Sequence, residues 1–154
     1  MFHKINRFNR ILKTRLKFRE EEQIRLRDER NEEEGIVEKL SFLNTEKKTA
    51  YDNFSTVSDG AVMSTQEIWF HRQVVDVIEK DIKKESISLN AVRNKITETE
   101  IRLLEKHKDV KIMDKHIDNL VNSWNTETLH MEQQEIDDVA SIRFTHKLQN
   151  GGAQ

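Results

Sequence analysis

The sequence contains no proline, no cysteine and only four glycines among its 154 residues. Proline and glycine disfavour helices most strongly, so almost nothing in the chain interrupts one. Without cysteine, the chain can form neither disulfides nor thiolate metal sites. A reducing compartment is therefore permitted, although it is not required.

Apolar residues are also few, because hydrophobic side chains make up 35% of the chain and charged side chains another 35%. This balance is typical of a long helix or a coiled coil rather than of a globular domain. At this length we expect at most one ordinary domain. No stretch approaches the ~18 apolar residues that a membrane-spanning helix needs, and no apolar run after the first lysines indicates a signal peptide.

The longest regular pattern is a heptad seam in the second half of the chain. Steps of four and three residues alternate along it, and twelve of its sixteen positions are apolar. An apolar repeat of about 3.5 residues predicts a helix that supercoils against a partner helix. The seam positions are His71, Val75, Ile78, Ile82, Glu85, Leu89, Val92, Ile96, Thr99, Leu103, Lys106, Val110, Met113, Ile117, Leu120 and Trp124.

A similar pattern in the first half of the chain predicts the partner helix. Between its two parts, residues 27–35 carry no apolar side chain, so a helix there has little to pack on. The seam positions are Ile36, Leu40, Leu43, Lys47, Ala50, Phe54 and Val57, after an earlier stripe of Ile5, Phe8, Leu12 and Leu16.

The two halves meet at residues 55–67, STVSDGAVMSTQE, the turn-like stretch of the interior. Ser64 or Thr65, with Glu67 close behind, is typical of the first residues of a helix. We therefore predict an all-α fold, an elongated two-helix antiparallel coiled-coil hairpin with a longer, protruding C-terminal helix. The expected boundaries are one hairpin at 1–148, helix 1 at about 4–57, a turn at about 58–64, helix 2 at about 65–146 and a flexible tail at 149–154.

The unequal helix lengths predict an unpartnered segment. With a turn near residue 61, residue i of helix 1 should lie beside about residue 122 − i of helix 2. Helix 2 then has no partner helix beyond about residue 122. A lone helix is marginal in water, so we expect this segment to need another surface. Its apolar residues are Leu129, Met131, Ile136, Val139, Ala140, Ile142 and Phe144.

The first nineteen residues carry seven Lys and Arg side chains and no acidic one. The expected register places them beside residues 103–121, which have an excess of lysine, so an acidic partner protein would explain them best. A mitochondrial transit peptide, a helix on a membrane surface and nucleic-acid binding by this segment stay open as alternatives. The net charge of −2 argues against nucleic-acid binding by the whole chain, so no nucleic-acid partner is predicted.

Motifs that carry catalysis are missing. The four glycines do not form a phosphate-binding loop, and His107 and His116 fall on different helical faces. Asp137 and Asp138 are adjacent, so they point in different directions and do not form a carboxylate pair. We therefore predict no enzyme, no catalytic residue, no cofactor and no metal site.

Four stretches, in order around the central turn, carry a resemblance to a known family. They are FNRILKTRLKFREEEQIRLRDE, DGAVMSTQEIWFHRQVVDVIEKDI, LLEKHKDVKIMDK and MEQQEIDDVASIRF. The second stretch has a glycine, an aromatic pair and the element Ile78, Glu79 and Ile82. The chain resembles the flagellar export protein FliJ and related stalk proteins of type III secretion over nearly its whole length. The matching residues of the last stretch are Glu132, Gln133, Asp137, Asp138, Ala140 and Phe144.

The resemblance implies a stalk or adaptor protein of a type III export apparatus. In that family the hairpin is similar in shape to the gamma subunit of rotary ATP synthases. Its open end binds the export ATPase hexamer and promotes its assembly, and its turn side reaches toward the membrane export gate. It also handles unloaded export chaperones. The implied location is the cytoplasm, peripheral at the inner face of the cell membrane, and we expect a monomer.

Two sets of partner-binding residues are carried over from this resemblance. Three alternatives stay open: a coiled coil that tethers other proteins, one that homodimerises, and another rotary stalk such as the V-type ATPase D subunit. Flagellar and injectisome systems both fit the pattern. The ATPase-ring set is Arg7, Arg10, Ile11, Arg15, Asp137, Arg143 and Phe144, and the export-gate set is Leu43, Tyr51, Val74, Ile78 and Glu85.

Overall fold

The computed structural model describes residues 2–60 and 62–151, which form two α-helices with no strand among them. Helix α1 is Phe2–Ser58 and helix α2 is Thr65–Gly151. The predicted all-α, two-helix fold with a longer second helix is confirmed. Helix α2 continues five residues past the expected end near residue 146, because no glycine or proline lies between Gly60 and Gly151. Residues 152–154 of the expected tail lie outside the described residues.

The start of α2 is a capping box built from Ser64 and Glu67. The backbone N–H of Ser64 donates to Glu67 Oε2 at 2.9 Å, and the backbone N–H of Glu67 donates to Ser64 Oγ at 3.3 Å. The first bond satisfies a backbone donor that would otherwise lack a partner at the helix start, and the second adds to the bond from the Glu67 N–H to the Ser64 carbonyl oxygen at 3.1 Å. The predicted N-terminal signal is therefore present as a reciprocal hydrogen-bonded pair.

The chain divides into two compact units, each containing parts of both helices. We call Met1–Phe18 with Lys106–Gln154 the terminal unit, and Arg19–Glu105 the turn unit. In both, the helices run antiparallel, and residue i of α1 lies beside about residue 124 − i of α2. This register differs by two from the expected 122 − i, because the helix ends at Ser58 and Thr65 place the centre of the turn slightly later.

Contacts across the helix pair define this register in each unit. In the terminal unit, the rings of Phe8 and His116 lie 4.7 Å apart, centroid to centroid. In the turn unit, Arg102 Nε donates to Glu22 Oε2 at 3.4 Å.

The predicted heptad seam forms the contact face of α2. Every seam position from His71 to Leu120 is buried or half-buried. Two packed helices enclose little volume, so only a few apolar side chains are fully covered. Those buried apolar residues are Leu26, Leu43, Val92, Ile96, Val110, Met113 and Ile117.

Thr99 is the polar exception in the core of the turn unit, with 0% of its surface exposed. Arg102 Nη2 donates to Thr99 Oγ1 at 2.8 Å, and the same guanidinium reaches Glu22 across the helix pair. A buried polar side chain in a coiled-coil seam favours the alignment that satisfies its hydrogen bond. The bond of Thr99 lies within α2, so it is the contact of Arg102 with Glu22 of α1 that depends on the register of the turn unit.

Helix α1 continues without a break through residues 27–35, where the sequence offers no apolar side chain. Ion pairs join the helices there instead. Arg30 Nη2 lies 2.9 Å from Glu100 Oε1, and Arg93 Nε lies 2.8 Å from Glu33 Oε1. Each exposed pair of this kind contributes only ~0–1 kcal/mol. The apolar cluster of Leu26, Val92 and Ile96, with Ile36 and Leu103 packed against it, therefore contributes more to the stability of this stretch.

Candidate functional site

The overhang is residues 123–151 of α2, the part of the terminal unit that extends past α1. Helix α1 begins at Phe2, so the observed antiparallel register ends near residue 122 of α2. From Leu129 to Gly151, every residue is exposed. The predicted protruding C-terminal helix is therefore present, and its residues from Leu129 to Gly151 are exposed in the described chain.

The overhang exposes large apolar side chains, such as Phe144 at 66% and Ile136 at 62% of their surface. Surface hydrophobics that occur singly are ordinary, but a continuous apolar face commonly marks an interaction site. Here several of them follow spacings of four and seven residues, which places them along one side of the helix. That side carries Leu129, Ile136, Ala140, Phe144 and Leu148.

Charges on the overhang are separated by sign. All five of its acidic residues lie within 127–138, and its two basic ones are Arg143 and Lys147. A shallow groove on the helix surface spans the change of sign, with acids at one end, apolar side chains in the middle and a guanidinium at the other end. It is lined by Glu132, Glu135, Ile136, Val139, Ala140 and Arg143.

The packed section of the terminal unit, residues 2–18 and 106–121, is strongly basic. It holds ten Lys and Arg side chains against three Asp side chains. Within the described residues, none of these basic side chains forms an ion pair. Arg15 Nη1 donates instead to the backbone carbonyl of Asp109 at 3.0 Å. The section therefore presents uncompensated positive charge, which attracts acidic surfaces.

The ATPase-ring set lies entirely in the terminal unit, but in two separate places. Arg7 and Arg10 are exposed and line one depression together with the half-buried Ile11. Asp137 accepts a hydrogen bond from Gln133 Nε2 at 3.1 Å on the overhang. The side chain opposite Arg7 is near residue 117, about twenty residues before Asp137, so the structure does not join these two groups into one patch.

The remaining three members of that set differ in exposure. Arg15 is half-buried, and its guanidinium is engaged with the α2 backbone. Arg143 lines the overhang groove, and Phe144 is exposed beside it. Two of the three are therefore open to a partner, whereas Arg15 mainly ties the two helices together.

The export-gate set lies in the turn unit and is more mixed. Leu43 is only 8% exposed, because it occupies a seam position, so its side chain is not available to a partner. Glu85 is half-buried and paired with Lys39. Tyr51 is exposed, and its hydroxyl lies 3.5 Å from Glu79 Oε1.

Val74 and Ile78 are half-buried and line an open groove between the two helices of the turn unit. The groove is also lined by Phe42 and Val77, which are both exposed and add to its apolar wall. Sequence reasoning omitted both from the gate set. Their signal was present, since each is a large apolar residue that falls outside the heptad seam.

The Lys47–Glu79 pair of the turn unit shifts the pKa of both of its members. Lys47 Nζ lies 2.9 Å from Glu79 Oε1. The hydrogen bond from Lys47, together with its charge, holds the pKa of Glu79 below its ordinary value. The same hydrogen bond raises the pKa of Lys47. Both shifts favour the charged pair near neutral pH.

Trp69 and Phe70, at the start of α2, are exposed by 64% and 61% and were not chosen as site residues either. They stand just before the seam begins at His71.

Within residues 2–60 and 62–151, no group of three or more His, Asp or Glu side chains could hold a metal ion. No described helix is apolar enough over a sufficient length to cross a membrane.

Comparison with models of protein families gives a match. A family model described as "Flagellar FliJ protein" matches residues 3–149. The match covers nearly all of both helices, the overhang included. Neither a comparison with curated proteins nor one with solved structures gives a match.

Proposed function

Because the chain belongs to the flagellar FliJ family, we propose that it is a non-enzymatic stalk or adaptor of a flagellar-type protein export apparatus. Its partners are the export ATPase hexamer, the membrane export gate and unloaded export chaperones. It acts in the cytoplasm, peripherally at the inner face of the cell membrane. Family membership supports the flagellar export role, and the terminal unit supports the assignment of the ATPase partner.

One observation carries the ATPase assignment. The terminal unit combines an uncompensated basic section with an overhang whose apolar side chains are exposed from Leu129 onward. A ring that encloses the overhang would bury those side chains, and acidic residues on the ring would pair with Arg7 and Arg10. Apolar burial would supply most of the affinity, and the charges would mainly set the rate and orientation of binding.

The direct test mixes the full chain with the cognate export ATPase and measures hexamer formation and the rate of ATP hydrolysis. The Arg7→Glu, Arg10→Glu double variant should weaken binding by about tenfold or more, since two favourable contacts become repulsive. The matched control is Lys48→Glu with Arg72→Glu, which reverses two exposed charges in the turn unit and should bind normally. No binding and no stimulation by the unmodified chain would refute the proposal.

For the export gate, the proposed contact is the groove that contains Val74 and Ile78. Its apolar wall suits a partner that inserts an apolar side chain or helix face. Val77→Glu places a charge in this groove and should weaken binding to the gate without affecting the ATPase. Ile87→Glu is the matched control, because Ile87 is similarly exposed on α2 of the same unit but does not line the groove. Equal gate binding by the two variants would remove the groove from the proposal.

Binding of export chaperones rests on family membership alone. The two candidate surfaces for a chaperone are the basic section of the terminal unit and the groove of the turn unit. A pull-down of unloaded chaperones with the unmodified chain, Val77→Glu and the Arg7→Glu, Arg10→Glu variant would show whether either surface takes part. If the unmodified chain binds no chaperone, the proposed role is limited to the ATPase and the gate.

A further inference from the structure

The groove on the overhang is complementary to itself. It runs from Glu132 and Glu135, over Ile136 and Val139, to Arg143. If a second identical groove is turned end to end against it, each acidic end meets a basic end and the apolar middles meet each other. A surface that matches its own copy in this way fits a two-fold symmetric interface.

The charges select the direction of such a pairing. In an antiparallel pair, the acidic end of the groove, which carries Glu132, faces the basic end of the other copy, which carries Arg143. In a parallel pair in the same register, Glu132 and Glu135 of the groove would face the same two side chains of the other copy and repel them. Charge complementarity therefore favours the antiparallel arrangement.

The length of the overhang fits the same arrangement. Placing Glu132 opposite Arg143 of the second copy also places Ile136 opposite its Val139. In that register, Gly151 of the second copy lies opposite about residue 124, just before the position where α1 begins to cover α2. The described part of a second overhang therefore fits alongside the first without displacing α1.

From these three observations we propose that the overhang binds a second copy of this chain as an antiparallel pair of helices. The pairing covers the apolar groove when no other protein occupies it. It does not depend on the proposed export function, since only this chain takes part. Because the apolar middle is short, the dimer is weak, so dilute protein is monomeric and concentrated protein is not.

Cross-linking tests the arrangement, and the absence of native cysteine makes each introduced thiol the only one. Full-length Ile136→Cys and Val139→Cys chains are mixed and oxidised. The mixture should form disulfide-linked dimers about tenfold faster than either variant alone, because pairing raises the effective thiol concentration. A mixture of Gln134→Cys and Asp138→Cys, on the opposite side of the helix, is the control and should react slowly. Equal rates in the two mixtures would overturn the proposal. It would also be overturned if Ile136→Cys alone and Val139→Cys alone each formed dimers faster than their mixture, because that result indicates a parallel pair.

Charge reversal tests the complementarity, with sedimentation equilibrium as the measurement. Glu132→Lys or Arg143→Glu alone should raise the dimer dissociation constant about tenfold, since symmetry places each change at the interface twice. The double variant restores opposite charges and should return within about threefold of the unmodified chain. A double variant weaker than both single variants would contradict the proposal. So would an unmodified chain that stays monomeric at high concentration yet binds the export ATPase, which would make a partner protein the occupant of this face.

Discussion

The turn unit and the terminal unit use the same heptad pattern but differ in how completely they satisfy their own side chains. All seven ion pairs among the described residues lie within the turn unit. Its core also contains the hydrogen-bonded Thr99. In the packed section of the terminal unit, ten basic side chains outnumber three acidic ones, and α2 continues past its partner helix. The comparison indicates that the turn unit compensates its charges internally, whereas the terminal unit leaves basic side chains and an apolar helix face exposed.

The largest effect should come from a charge placed in the core of the turn unit. Val92 is 3% exposed, so Val92→Asp buries a carboxylate without a partner and should cost about 3 kcal/mol or more of unfolding free energy. Ile142→Asp makes the same kind of change on the overhang, where Ile142 is 65% exposed, and should change stability by less than about 0.5 kcal/mol. Urea unfolding followed by circular dichroism measures both. Similar losses would show that the overhang is covered within the free chain.

A smaller loss should follow from removing the cap of α2. Ser64→Ala removes the side-chain acceptor of the Glu67 backbone N–H, leaves the Ser64 carbonyl oxygen as its acceptor, and should lower the unfolding free energy by about 1 kcal/mol. The matched control is Ser123→Ala at the start of the overhang, in the interior of α2, where we expect no loss because alanine favours helix. Thermal unfolding of the two variants gives the comparison. A control as unstable as Ser64→Ala would mean that the capping box does not stabilise the turn unit.

The smallest expected effect concerns pH in the turn unit. The lowered pKa of Glu79 stabilises the fold above its ordinary value of 4.5, and this contribution is lost as the pH falls through the lowered folded-state pKa. Glu79→Gln should therefore make the acid side of the stability curve slightly less steep. Asp138→Asn, on the overhang, removes an exposed acid and serves as the control. Identical acid profiles for Glu79→Gln and the unmodified chain would show that the Lys47 pair has no influence on stability.

Much of the fold follows from the sequence because periodicity and turn chemistry are local. The alternation of four and three residues identified the seam, and Ser64 with Glu67 identified the start of α2. The register was two residues off, since it depends on where each helix ends to within a residue. The end of α2 was placed too early because the glycines near the C-terminus resembled a tail.

Side-chain partners across the helices could not be read from spacing in the same way. The pairing of Arg30 with Glu100 depends on a register that the sequence leaves uncertain by a few residues. Leu43 was chosen for the site although its seam position already indicated burial. Phe42 and Val77 were overlooked, although large apolar residues outside a seam are the ones that a partner can reach.

The central claim is that the overhang is uncovered in the free chain and becomes covered by the export ATPase. Hydrogen exchange of dilute protein measures this directly, residue range by residue range. Amides of residues 123–151 should exchange much faster than those of residues 106–121 in the free chain, because a lone helix frays, and should slow when the ATPase is added. Slow exchange of residues 123–151 in the dilute free chain would contradict the account. So would an unchanged exchange rate of these residues when the ATPase is bound to the chain.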